Sequence, residues 1–451
     1  LKLIENDILG SVIIGIIFLV IILLAELWAR KGHPSEEAMR KFVHINGGLA
    51  SLLFPFLIFN SLYVLGLAIG FSFLFFIGSK MDFLRCLNSV DRKGHGSEYY
   101  PFAIWLLFQI STGNLWLYIS SVLVLSIADA GAALIGSKYG SVRYQIGESE
   151  KSLQGSIIFF LVAFCALSLP MLWLSDLSRE ACILVALLVS FLLTCVEAVS
   201  VRGTDNIFVP VIACYVLLKI TSKPVDEIRF QCISLFAIFA IFGIIIWRTK
   251  LLDVGAGLIF LSIFYASWSL GSLHWALPVA FAFLFFTIIR YPLSRKFSLP
   301  KVRAKTLFAA LIIPFGVLVL ANLYEAYQVF FGLYLTAFVN VASFSVWRTV
   351  LRVKPMPDIS SRIIGSLCFG FLCWLFICVP VWLFQDVPFY ASLGILLITL
   401  IFAIVHELVS EKKDVSQEPI WSDYRFILIV LSVASCWGLQ HLELIDVWNP
   451  K

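Results

Sequence analysis

Apolar runs of roughly twenty residues, broken by short polar or basic segments, recur from one end of this chain to the other. A helix rises 1.5 Å per residue, so a run of that length crosses a hydrocarbon layer roughly 30 Å thick. The pattern predicts about sixteen helices, over 8–29, 42–60, 61–79, 99–113, 115–137, 153–174, 180–200, 206–222, 230–248, 252–268, 272–290, 305–321, 325–347, 362–384, 387–408 and 424–445. No stretch between them is long enough for a soluble domain, so the expected fold is all-α and polytopic. The run 8–28 is too long for a signal-peptide core and has no small-residue cleavage site, so it reads as a true span. The missing initiator Met points to a trimmed or processed start.

Composition narrows the class further. The chain is 61% hydrophobic and 14% charged over 451 residues, which is an integral membrane protein with no nucleic-acid partner. Its ten cysteines lie mostly inside apolar runs without paired Cys-x-x-Cys spacing, as packing residues do. The net charge of +5 says little, but its distribution does. With both termini outside, the alternate inside segments hold 27 of the 33 Lys and Arg and the outside ones 6. That asymmetry favours this orientation and places the basic loops on the cytoplasmic face.

The two halves look related at an offset near 210 residues. Gly155-Ser156 recurs as Gly365-Ser366, and Val-Glu-Ala-Val-Ser at 196–200 recurs as His-Glu-Leu-Val-Ser at 406–410. The expectation is two parallel eight-helix repeats, residues 1–222 and 223–451. Chance matching of small apolar residues is the competing explanation. If the duplication is real, the second copy is chemically depleted: Asn340 stands near the place of Asp129, Ser361 at that of Lys151, and Val254 at that of His44.

Polar residues that carry chemistry gather in the first half, at its inside face. Asp129 lies in a helix of small residues, nine positions before Lys138, hence roughly 13 Å into the layer at 1.5 Å per residue. A carboxylate there needs a cation, a proton or a metal; a purely structural partner on a neighbouring helix is the plainer alternative. Arg40, Lys41 and His44 form Arg-Lys-Phe-Val-His, with Arg40 and His44 on one helical face; they read equally as interfacial anchors and a packing histidine. Lys138 and Lys151 bracket a loop with Gly140 and Gly147. Lys151-Ser152 then precedes Gly155-Ser156 at a helix start, where backbone N–H groups favour anions. Glu98 follows the glycine-punctuated 94–96 loop. Glu197 ends one helix, and Asp205-Asn206 begins the next, where a plain helix cap accounts for the aspartate but not for Glu197.

These pieces, in this order, resemble the CTP-dependent lipid kinases, polytopic enzymes that include phytol kinase, dolichol kinase and CTP-dependent diacylglycerol kinase. The resemblance covers about residues 1–222. It rests on Arg-Lys-Phe-Val-His at 40–44, Gly-Ser-Glu-Tyr-Tyr-Pro at 96–101, the long stretch 126–140, Lys-Ser-Leu-Gln-Gly-Ser at 151–156 and the stretch 197–210. The chain departs from the usual pattern with Ala128 before Asp129 and Ser137 before Lys138, which removes one cation from the expected phosphate cradle. The resemblance implies transfer of the γ-phosphoryl group of CTP to the hydroxyl of an isoprenoid alcohol or a diacylglycerol, with Mg²⁺. Asp129, Glu197 and Asp205 would hold the metal. Arg40, Lys41, Lys138 and Lys151 would neutralise the triphosphate, with Gly140, Ser152, Gly155 and Asn206 at the nucleotide. His44 would serve as base. The alternatives are a phosphatidate cytidylyltransferase, which releases pyrophosphate, a lipid transporter or flippase, and an inactive scaffold.

Overall fold

A computed structural model of the protein describes residues 3–4, 6–32, 35–81, 96–146, 149–201, 203–384, 389–410 and 423–441. It divides into two compact units, residues 1–235 and 236–451.

The first unit contains α1 (Asp7–Gly32), α2 (Glu36–Ser51), the single turn α3 (Phe54–Leu57), α4 (Ser61–Met81), α5 (Gly96–Ile110) and α6 (Leu115–Tyr139). A hairpin of β1 (Arg143–Ile146) and β2 (Ser149–Ser152) follows, then α7 (Leu153–Leu174), α8 (Arg179–Val199) and α9 (Asp205–Ile220). The helix α10 (Val225–Thr249) crosses the division between units. The second unit continues with α11 (Val254–Phe297), α12 (Ala304–Leu323), α13 (Tyr327–Val353), α14 (Ile359–Phe384), α15 (Phe389–Ser410) and α16 (Asp423–His441).

Among the described residues, eleven helices are long and apolar enough to cross a membrane, and the protein is an all-α polytopic membrane protein. Large side chains such as Leu23, Phe73, Trp173, Ile233 and Trp247 are exposed on the outer helix faces, where lipid rather than water is the solvent. The middle of each unit is the opposite: α6 and α8 in the first and α13 in the second are lined with buried small and hydroxyl residues that let helices approach closely.

The structure differs from the hydropathy reading in two places. The helix expected over 42–60 starts earlier, because Ser35 caps α2 by accepting from the Ala38 N–H at 3.3 Å, and it ends at Ser51, before the separate turn α3. It is too short and polar to be an ordinary span, and it carries Lys41 and His44 into the first unit. The spans expected at 252–268 and 272–290 are present as two helical segments of α11, which meet at a break where Ser272 leaves helical backbone at φ 69°. The basic loop expected between Lys138 and Lys151 contains a hairpin, whose register pairs Arg143 with Ser152, Tyr144 with Lys151 and Gln145 with Glu150.

Candidate functional site

The site is built around a defect in α6. Residues Val124–Ala128 form one π-helical turn, immediately before Asp129. A π turn shifts hydrogen bonding from i+4 to i+5 and frees a carbonyl from the regular ladder. Here His44 Nε2 takes the Leu125 carbonyl at 2.8 Å. A carbonyl only accepts, so Nε2 carries the proton in this bond and the imidazole lone pair is on Nδ1.

Close packing of α2 on α6 makes that reach possible. A Cβ on Gly48 would run into Ser126 and the Tyr100 hydroxyl, so only glycine fits the contact. Tyr100 of α5 ties the pair together: its hydroxyl donates to the His44 carbonyl at 3.0 Å and lies 3.0 Å from Ser126 Oγ. Its ring lies against the His44 imidazole, centroids 4.4 Å apart.

Asp129 thereby meets two side chains of α2. Lys41 donates to its Oδ2, and His44 Nε2 lies 3.4 Å from the same oxygen. Both belong to one face of α2, three residues apart. Lys41 is 4% exposed, so the pair is taken out of bulk water on the lysine side.

A second, largely buried pair joins the hairpin to α8. Lys151, opposite Tyr144, donates to Glu197 Oε1 at 2.7 Å and also to the Glu197 carbonyl. The Tyr144 hydroxyl lies 2.8 Å from Ser156 Oγ, which ties the hairpin to the start of α7. Burial opposes the charge on Lys151, but Glu197 and then Asp205 outweigh it and hold the ammonium above the ordinary lysine range. The two pairs belong to one electrostatic group. The charge of Asp205 feels Asp129, Lys151, Lys41 and Arg40, and that of Glu197 feels Lys151, Asp129 and Asp205. Three cations, three carboxylates and one imidazole from α2, α6, β2, α8 and α9 are therefore linked electrostatically, without the carboxylates and the imidazole meeting in one contact cluster among the described residues.

Other expected residues fall elsewhere. Lys138 is exposed at the end of α6, its ammonium 5.2 Å from the Tyr139 ring centroid. Gly136, Gly140 and Gly155 let the end of α6 pass closely over the start of α7: a Cβ on Gly140 would meet the Gly136 carbonyl and Ser152, and one on Gly155 would lie 3.1 Å from the Ala132 carbonyl. Ser152 caps α7, accepting from the Gly155 N–H at 3.1 Å, so that donor is already engaged. Asn206 is buried in the first turn of α9, where its N–H lies 3.2 Å from Asp205 Oδ1. Residues 92–95, Gly147 and the side chain of Glu98 lie outside the described residues.

The chain is similar to a phytol kinase. That protein, from Synechocystis sp. (strain ATCC 27184 / PCC 6803 / Kazusa), is 27% identical over 199 residues, which is 42% of this chain and 82% of the relative. The similarity supports a kinase-type enzyme of lipid metabolism. No protein-family model matches the chain, and no solved structure matches it.

Among the described residues, no three His, Cys, Asp or Glu side chains come together as a metal cage. That donor set still suits Mg²⁺, which keeps much of its water and is held by one or two carboxylates together with substrate phosphates.

Sequence reasoning did not single out Tyr100, Ser126, Gly48 or Tyr144. The last had a usable signal: Arg-Tyr-Gln-Ile and Ser-Glu-Lys-Ser flank Gly147-Glu148, which is hairpin spacing with a glycine in the connection. The others depend on a π turn that no residue pattern announces.

Proposed function

We propose that the first unit transfers the γ-phosphoryl group of CTP to the hydroxyl of a membrane lipid alcohol. The observation that carries this reading is Asp129, at a π turn inside a membrane helix, with Lys41 and His44 on one side and the Lys151–Glu197–Asp205 group within electrostatic reach. A buried carboxylate maintained at a helix defect is an expensive arrangement that packing alone does not require. The similarity to a phytol kinase supports the same direction.

In this reading Arg40, Lys41 and Lys151 neutralise the triphosphate, and Asp129 and Asp205 would hold Mg²⁺, which would screen charge on the phosphates. The lipid oxygen attacks the γ-phosphorus, the bond to the β-bridging oxygen breaks, and CDP leaves. The hydroxyl proton passes to His44 Nδ1, the imidazole nitrogen that carries the lone pair. Positioning and charge compensation supply most of the rate, as phosphoryl transfer demands. Nucleotide arrives from the cytoplasmic side, where the basic loops lie in the proposed orientation. The lipid arrives sideways from the leaflet.

The second unit reads as a decayed copy of the first. Glu407, 210 positions after Glu197, accepts from Arg362 Nε at 2.8 Å across α14 and α15, as Glu197 does from Lys151. Asn340, near the place of Asp129, is fully buried and turns its amide back onto the Thr336 carbonyl at 2.9 Å. One site per chain follows.

The test is transfer of label from γ-³²P CTP and γ-³²P ATP, in purified protein, to phytol, a polyprenol and a diacylglycerol. Labelled lipid phosphate with release of CDP is expected from CTP, and none from Asp129→Asn. Pyrophosphate release with a lipid phosphate acceptor would instead identify a cytidylyltransferase.

A further inference from the structure

Arg290 is a buried cation in the second unit that the reading above does not use. It lies on α11 and is 1% exposed. Its Nη1 donates to Thr349 Oγ1 at 3.0 Å and its Nη2 to the Pro300 carbonyl at 2.7 Å. Its Nε is buried without an acceptor, and its guanidinium lies over the Phe286 ring, 5.6 Å from the centroid. Every one of these partners is neutral, and no carboxylate among the described residues pairs with it. Arg352 is close enough to repel it. A guanidinium has five N–H donors, and two are committed here. A buried charge left in this condition is strongly unfavourable unless an anion completes it.

The surroundings define what kind of anion. Phe286, one turn before Arg290 on α11, lines an apolar crevice together with Phe283, Leu307, Ala310, Ala342 and Ser345. On α13 the same relation holds: Ser345 lines the crevice, and Thr349 is one turn further on, its hydroxyl donating to the Ser345 carbonyl at 2.9 Å. The Arg290–Thr349 contact therefore lies one helical turn beyond the lining of an apolar cleft formed by α11, α12 and α13. The segment 290–305 adds Arg295, Lys296, Lys301, Arg303 and Lys305 at that end and contains no acid. Basic clusters beside a membrane helix attract anionic head groups.

We propose that this cleft binds an anionic lipid, with its phosphate at Arg290 and one chain in the crevice. The ligand combines the two properties that the site combines, a negative head and an apolar tail.

The test uses the full-length protein in detergent, with native mass spectrometry and thermal unfolding as readouts. The probes are dioleoyl phosphatidic acid, dioleoyl phosphatidylcholine, dioleoylglycerol and inorganic phosphate. Phosphatidic acid is expected to be retained about tenfold more tightly than phosphatidylcholine and to raise the unfolding temperature. Arg290→Gln should remove that preference. Ala310→Phe, which fills the crevice while leaving the arginine, should remove retention of the lipid. Asp129→Asn should leave both intact, which separates this site from the kinase reading. Equal retention of the two phospholipids, or a preference unchanged in Arg290→Gln, would overturn the proposal. So would equal stabilisation by inorganic phosphate, which marks a site for small anions. If Arg290→Gln fails to fold, Arg290→Lys, which keeps the charge and loses the fork, should weaken the preference instead, and an unchanged preference in it would likewise overturn the proposal.

Discussion

Asp129→Asn separates what the buried pair does for the fold from what it does for chemistry. The substitution keeps the shape of the side chain and removes its charge. Lys41, 4% exposed, then faces a neutral amide. Removing one partner of a buried ion pair costs about 3–5 kcal/mol, because the other charge stays buried. The amide oxygen still accepts from Lys41, so the lower end, about 3 kcal/mol, applies here. Replacing Lys41 by Met as well removes the stranded charge and leaves only an underused amide, at about 1–2 kcal/mol. The double variant should thus unfold at higher denaturant than Asp129→Asn alone, by about 1–2 kcal/mol. Unfolding in detergent, followed by tryptophan fluorescence, gives the stabilities, and label transfer from CTP gives the activity. Both variants should be inactive although one is nearly native in stability. A double variant less stable than the sum of its parts would refute the ion-pair argument, and wild-type turnover in it would refute the site.

Three further outcomes are expected. Gly48→Ala should drive α2 from α6 at Ser126 and Tyr100, costing about 1–3 kcal/mol by overpacking and most of the activity, measured by the same two assays. Lys151 titrates higher in the folded protein than its ordinary 10.5, so the folded state binds more protons above that pH. The stability it contributes is complete below pH 10.5 and is lost as the pH rises through the folded value; Lys151→Met should flatten that alkaline limb of the unfolding curve. Glu407 is fully buried, accepts from Arg362 at 2.8 Å and Trp347 at 2.9 Å, and lies 2.7 Å from His406 Nδ1. Its replacement by Gln should cost about 3–5 kcal/mol, read as early unfolding, with turnover per folded molecule unaffected.

The chain's helices were legible in its residues because lipid imposes a simple rule. Backbone groups in hydrocarbon must bond within their own helix, so length and apolar content nearly define each span. Buried charge was legible for a related reason: Asp129 and Glu197 stand out against apolar neighbours, and their presence alone required compensation. What compensates them was decided in three dimensions. Nothing along the chain links Lys41 to Asp129 across 88 positions, or selects it over Arg40 and Lys138. That choice follows from Gly48 letting α2 close on α6, and from a π turn that exposes the Leu125 carbonyl to His44. The hairpin spacing around Gly147 is legible, but only the folded pairing of Lys151 with Tyr144 sets its direction toward Glu197. Sequence determines which groups are too costly to leave alone in a membrane. Packing determines which of them meet, because short-range contact depends on helix approach and register, and both are settled by the whole unit.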